Sequence, residues 1–308
     1  MLSPPPSPPP PPPVLQQSGT SNANIVKSLL SLGIETSTGI FVIIFSFLGE
    51  PAGYKRILFR RLCSCFCKAL KPTSGMFTIF PHPNYSSMSK LMKKLNRVYK
   101  KDPTKAPTIV YVMEGTFHVG KAGNLNSSPR YVVIKYPMNM IGAGSNKTFI
   151  LGGGFSIQGK QEAGKSVRLT GLTVDDTYGN GLFNHGGLDF LCDRITFTRC
   201  GQNGVYAGNT KGRLINCVIT QCGENGIFNR DDALIELEGS QTKVHGNGTK
   251  RYNHTYGLHT IYSTSTIHLL SPLTKESVSI NNHNGHNCNS SSGGTIQAVN
   301  SLESMGIN

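Results

Sequence analysis

The chain has 308 residues with 35 glycines, 18 prolines and no tryptophan, which suits a turn-rich β protein of one or two domains joined to an irregular segment. Its formal charge of +14 resembles a nucleic-acid footprint, yet residues 55–105 hold 13 Lys and Arg against Asp102 alone, and the remainder carries +2. The excess charge belongs to one segment, and no nucleic-acid partner is read for the fold that follows it.

Residues 1–24 open in proline and continue in Gln, Ser, Asn and Thr. Proline lacks a backbone donor and favours an extended helix, so this is a disordered tail with no secretory signal pattern. Residues 29–49 are the membrane candidate. Their apolar core from Gly39 to Leu48 is about half of the ~20 residues a span needs, and extending it brings in Glu35. The basic-apolar stretch behind it extends the candidate membrane surface over residues 29–71. It includes Cys63, Cys65 and Cys67, which stand where lipid is attached to juxtamembrane cysteines. A cytoplasmic, membrane-associated location follows, against which six Asn-x-Ser/Thr triplets (at Asn84, Asn126, Asn146, Asn247, Asn253 and Asn289) pull toward secretion.

Residues 88–101 predict an amphipathic helix with Leu91, Leu95 and Val98 on one face, capped by Ser87 or Ser89 and stopped by Asp102-Pro103. Strand-like text runs from Thr108 to the end of the fold near residue 300, with room for roughly eight coils. The domain limits read from this are an N-terminal arm over 1–75, a solenoid over 76–300 and a tail over 301–308. Residues 159–166 match the phosphate-binding loop pattern. The alternating strand text that follows Ser166 makes the match a surface turn, because that loop must lead into a helix.

Within the solenoid one phrase recurs. Thr177 to Phe183 returns as Cys200 to Tyr206 and again as Cys222 to Phe228, with Asn180-Gly181, Asn203-Gly204 and Asn225-Gly226 in register. Aligning the three pairs stacks Leu172, Ile195 and Cys217, then Val174, Phe197 and Ile219, then Thr177, Cys200 and Cys222 on an inner side. The intervening Asp175, Thr198 and Thr220, and then Asp176, Arg199 and Gln221, fall on the outer side. One coil cannot bury its inner side alone, so coils must stack. The Asn-Gly pairs are placed at left-handed corners, with the Asn amides bonded from coil to coil and Cys200 and Cys222 as reduced core thiols.

The period, the Asn-Gly-aliphatic-aromatic phrase and the run from Arg213 to Phe228 resemble right-handed parallel β-helix repeat proteins of the pectin-lyase-like fold. The likeness is nearest to uncharacterised repeat proteins of algae, other protists and their large DNA viruses. It covers residues 85–300 and implies an all-β, right-handed parallel β-helix solenoid with an N-terminal capping helix. It implies little about activity, since the fold hosts lyases, hydrolases, epimerases, adhesins and inert scaffolds.

The reading taken is a non-catalytic scaffold that binds carbohydrate or protein along a strand face, with no cofactor and no metal; oligomeric state is left open. The alternative is a polysaccharide-active lyase or epimerase with Asp175, Asp176 and Arg199 as catalytic candidates and calcium if lyase-like. A second alternative is a structural component of a larger assembly. Asp176 is expected to pair with Arg199 across one rung. The Gly-His-Gly turn and Arg-x-Lys strand of the fold's hydrolases are not present at Asn184-His185-Gly186-Gly187 or near His286. His283, His286 and Cys288 are a weak metal constellation in a polar loop.

Overall fold

A computed structural model describes residues 77–82, 84–119, 130–262 and 264–300. The readings of the arm over 1–75, with its membrane candidate and Cys63, Cys65 and Cys67, and of the tail over 301–308 lie outside these residues. Among the described residues no helix is long and apolar enough to cross a membrane.

Every coil turns through three strand directions, and each direction stacks into a parallel column. The first column is β1 (Phe77–Phe80), β2 (Ile109–Val112), β5 (Met138–Gly142), β8 (Ser166–Asp175), β10 (Asp189–Thr198), β12 (Lys211–Ile215), β15 (Leu234–Glu238), β18 (Thr266–Leu270) and β21 (Thr295–Val299). The second is β3 (Gly115–His118), β6 (Thr148–Leu151), the C-terminal halves of β8 and β10, β13 (Val218–Thr220), β16 (Lys243–His245) and β19 (Ser279–Ile280). The third is β4 (Tyr131–Ile134), β7 (Gly154–Ile157), β9 (Leu182–His185), β11 (Val205–Gly208), β14 (Ile227–Arg230), β17 (Leu258–Ile261) and β20 (Cys288–Ser291). All the strand pairs are parallel, which makes the chain a parallel β-helix.

The register is the one that inner-side alternation demands. Ile195 pairs with Leu172, Phe197 pairs with both Val174 and Ile219, and all five are buried. Thr177, Cys200 and Cys222 are buried in a file beside them. Each inner file is therefore a stack of like side chains that no single coil could keep dry, and truncating one, such as Ile219, should cost roughly 2–5 kcal/mol. Among the described residues five cysteines, Cys192, Cys200, Cys217, Cys222 and Cys288, are free thiols.

The corners differ from expectation. Asn180-Gly181, Asn203-Gly204 and Asn225-Gly226 are not left-handed; the left-handed residues are Asp176, Arg199 and Gln221 (φ 50°, 46° and 56°), with Arg194, Asn209 and Asn216 at other corners. Asp176, Arg199 and Gln221 are thus bend residues rather than outward strand positions. The glycines of the phrase serve close approach. A Cβ on Gly204 would lie 2.3 Å from Ile219 Cγ2 and 2.8 Å from Gly226 O. The Asn side chains do form a ladder: Asn203 Nδ2 donates to Asn180 Oδ1 at 2.9 Å, Asn225 Nδ2 to Asn203 Oδ1 at 2.9 Å, and Tyr256 N to Asn225 Oδ1 at 2.8 Å. A second ladder, invisible in the repeat, runs from Asn247 to Asn282 and on to Asn287.

Helix α1 (Met88–Lys101) starts at Ser87, whose hydroxyl accepts from Lys90 N at 3.3 Å, and buries Met88, Leu91, Met92 and Leu95. It covers the end of the third column at β4. Asn96 Nδ2 donates to Val133 O at 2.8 Å while Asn96 Oδ1 accepts from Lys135 N at 3.2 Å, so one side chain supplies both bonds that another strand would make. Two local expectations need correction. Strands begin before this helix rather than after it, with β1 pairing β2, and the text from Ser277 forms the end of a short helix α2 (Lys275–Val278) before β19.

Candidate functional site

Strand alternation turns one residue in two of the third column outward. Register puts Ser156, Phe183, Tyr206, Phe228, His259 and Asn289 in a single outer file. The middle of that file is aromatic. Ring centroids lie 4.9 Å apart for Phe183–Tyr206, 5.5 Å for Tyr206–Phe228 and 5.1 Å for Phe228–His259, with the rings tilted by 31° to 59°. Tilted rings leave part of each face open, and all four side chains are half-buried rather than enclosed. Tyr131 continues the file at one end, 6.0 Å from Phe183, its hydroxyl accepting from Asn180 N and Nδ2 at 3.3 Å. Tyr256 and His286 continue it at the other, with centroids 4.8 Å from His259 and 5.3 Å from Tyr256 respectively.

These rings floor a groove of about 410 Å³. One wall is the turn that leads into each strand, where the asparagine ladder, Gln202, Glu224 and His254 stand. Among the described residues that line the groove Glu224 is the one carboxylate. Burial holds its carboxyl above the usual carboxylate range, opposed by the Lys250 ammonium 4.0 Å away. His259 is driven the other way: burial, helped by the nearby His254, lowers its imidazole to about 4, so it is neutral in ordinary buffers. Beyond the floor lies a charged cluster, in which Asp231 meets His185 at 3.3 Å and Arg230 at 2.7 Å. His185 also meets the Tyr206 ring edge-on at 6.4 Å.

The acidic candidates read from the sequence are elsewhere. Asp175 lies on the second column and forms a close ion pair with Arg199, whereas the expected partner was Asp176; at its left-handed corner Asp176 is turned out of that pair. Burial raises the Asp175 carboxyl, outweighing Arg199, and its Oδ1 has no partner. None of the three lines the groove. The loop pattern at residues 159–166 ends in strand β8, with Lys165 paired to Glu162 at 2.6 Å. His283 and His286 sit on a short 3-10 turn and Cys288 opens β20. Among the described residues no three His, Cys, Asp or Glu side chains come together to hold a metal ion.

The aromatic file could have been found in the sequence. Phe183, Tyr206 and Phe228 each stand three places after the repeated Asn, an outward position by the same alternation that placed the core. His254 and His259 could not, because they arrive after an irregular coil.

No protein-family model matches the chain, and no curated protein does. Among solved structures, the chain is similar to the A-module of the Azotobacter vinelandii mannuronan C-5 epimerase AlgE4, with 11 % identity over 72 % of this chain and 88 % of that one, at a TM-score of 0.32. That similarity is too loose to bear on the site, and the fold stands on the strand pairing above.

Proposed function

We propose that the third column is a carbohydrate-binding face that takes an extended sugar chain along the solenoid axis. The observation that carries this reading is the file Phe183, Tyr206, Phe228 and His259 beside the polar wall of Gln202, Glu224 and His254. A sugar has an apolar C–H face and a hydroxyl edge. Aromatic faces accept the first, and amide, carboxylate and imidazole groups accept the second. Coils repeat at about 4.8 Å, so a chain lying along the file meets a similar set of contacts at each step. The test is a glycan array probed with the full-length protein. Retention of glycans by the wild type and its loss in Tyr206→Ala support the reading, and an array silent for the wild type overturns it.

A second reading, a polysaccharide-active enzyme, draws on one observation. Glu224 is biased toward its protonated form and His259 toward its neutral form in the same groove, which is how an acid and a base are kept apart. Hydrolysis by two carboxylates fits poorly. Glu224 and Asp231 flank the four-residue strand β14, but Asp231 is paired with His185 and Arg230 and is not among the residues that line the groove. Release of reducing ends or unsaturated products from retained glycans favours the enzyme; retention without turnover favours the binder.

A further inference from the structure

The repeat breaks at one place beside the groove. Asn225 follows its ladder partner Asn203 by 22 residues, but the next group on the ladder, Tyr256, follows Asn225 by 31. Part of the excess is local. Thr220 pairs with His245 and Ile227 with Leu258, and six more residues separate His245 from Leu258 than separate Thr220 from Ile227. Solenoid coils are held to a constant length by stacking, so an insertion must leave the stack, and insertions gather on the face that is used.

This insertion is folded back onto the groove wall. Gly248 N and Thr249 N donate to Cys222 O at 2.9 and 3.1 Å, and Lys250 N donates to Gly223 O at 3.0 Å. The Thr255 hydroxyl donates to Tyr252 O at 2.9 Å, after which Tyr256 rejoins the asparagine ladder. The insertion carries Lys250, Arg251 and His254 and no carboxylate. His254 lines the groove, Lys250 is 4.0 Å from Glu224 and 5.9 Å from the Tyr252 ring, and Arg251 is exposed with no acidic partner among the described residues. Tyr252 is 56 % exposed, an unusual position for a large ring.

We propose that residues 246–257 form a selectivity loop that favours anionic sugars, presenting Lys250 and Arg251 to a carboxylate or sulfate on the chain lying over Tyr206 and Phe228. This rests on the carbohydrate-binding reading and adds to it the class of ligand. The charge balance supports it. Glu224 is the one carboxylate among the described residues that line the groove, against two cations, Lys250 and Arg251, on the loop, so positive charge is left in excess for the ligand. Such surface charges are screened by salt, and the preference should weaken as ionic strength rises.

The experiment compares full-length wild type with Lys250→Gln/Arg251→Gln on one array of neutral, uronate and sulfated oligosaccharides at low and high salt. Expected is a preference of at least about tenfold for one or both anionic sets, lost in the double variant, with neutral retention moving less than about twofold. The uronate and sulfate arms separate the two sources of negative charge. Equal retention of neutral and anionic sugars by the wild type, or a preference that survives the double variant, overturns the inference and leaves the binding face standing. A wild type that retains nothing overturns both. Lys250→Glu/Arg251→Glu, which alters only exposed positions, should reverse the preference; an unchanged preference in it counts against the loop.

Discussion

Asn203 stands between Asn180 and Asn225 and bonds to both: its Nδ2 reaches Asn180 Oδ1, and its own Oδ1 takes both the N and the Nδ2 of Asn225, at 3.1 and 2.9 Å. Replacing it with Ala strands the N and Nδ2 of Asn225, two buried donors, while Asn180 Oδ1 keeps the Asn203 backbone N–H at 3.1 Å. The expected loss is about 2–4 kcal/mol, since each abandoned buried group costs roughly 1–3 kcal/mol. Urea denaturation of Asn203→Ala beside Gln202→Ala measures it. A loss no larger than that of the half-buried Gln202 would mean the ladder is held by backbone alone.

Glycine matters here for two separable reasons, and a pair of variants distinguishes them. Gly204 has ordinary backbone angles but no room for a Cβ, whereas Gly186 has φ 69° and nothing within 4 Å of where a Cβ would go. Gly204→Ala should cost about 2–3 kcal/mol or more by overpacking, and Gly186→Ala about 1 kcal/mol by backbone conformation. Melting temperatures of the two should therefore separate clearly, with Gly204→Ala the lower. The reverse order would show that crowding at the phrase is relieved by small shifts of Ile219.

Binding along the aromatic file should be graded by position. Tyr206 has ring neighbours on both sides and faces His185 as well, so Tyr206→Ala should weaken glycan retention by about tenfold or more, close to what stacking anchors contribute elsewhere. Tyr206→Phe keeps the ring and should lose less than about threefold. Affinity electrophoresis reads both, and an equal loss in the two variants would point to the hydroxyl rather than the ring.

How much of this could be read beforehand varies from residue to residue. The inner files were legible because a solenoid tolerates only apolar side chains at positions such as Val174, Phe197 and Ile219, which leaves a period in the text. The corners were not, because Asp176, Arg199 and Gln221 are ordinary residues whose left-handed angles are imposed by stacking and not by their own preferences. The groove was half legible. Its floor repeats with the coil, while His254 reaches it through an insertion that no periodicity announces.

The lowered imidazole of His259 gives stability a pH dependence of known sign. An unfolded chain protonates this histidine near pH 6.5, while the folded one holds it neutral down to about 4. The unfolded state thus binds more protons between those values, and stability that is full above about pH 6.5 declines until about pH 4. The difference in denaturation midpoint between wild type and His259→Gln, followed from pH 7.5 to 4.5, isolates this group. It should move against the wild type on acidification; a constant difference would place the imidazole in contact with solvent.

Thiol reactivity gives an independent view of the core. Burial lifts Cys192 and Cys222 well above the ordinary thiol range and Cys217 to about 12, so no thiolate is presented to reagent. Alkylation at pH 8 followed by peptide mapping should leave the peptides of Cys192, Cys200, Cys217 and Cys222 unlabelled until denaturant is added. Labelling of Cys200 or Cys222 in the native protein would mean that their file opens without global unfolding.

Stacked parallel strands have no intrinsic length limit, since the last rung of a column offers the same pattern of donors and acceptors as the one beneath it. Asn96 gives the third column a stop at β4, where one amide occupies the bonding positions of Val133 and Lys135 and the helix around it offers no further rung. Removing that amide exposes a template. The consequence of Asn96→Ala would then be seen less in the melting curve than in self-association, with molecules recruiting one another through β4 into fibres.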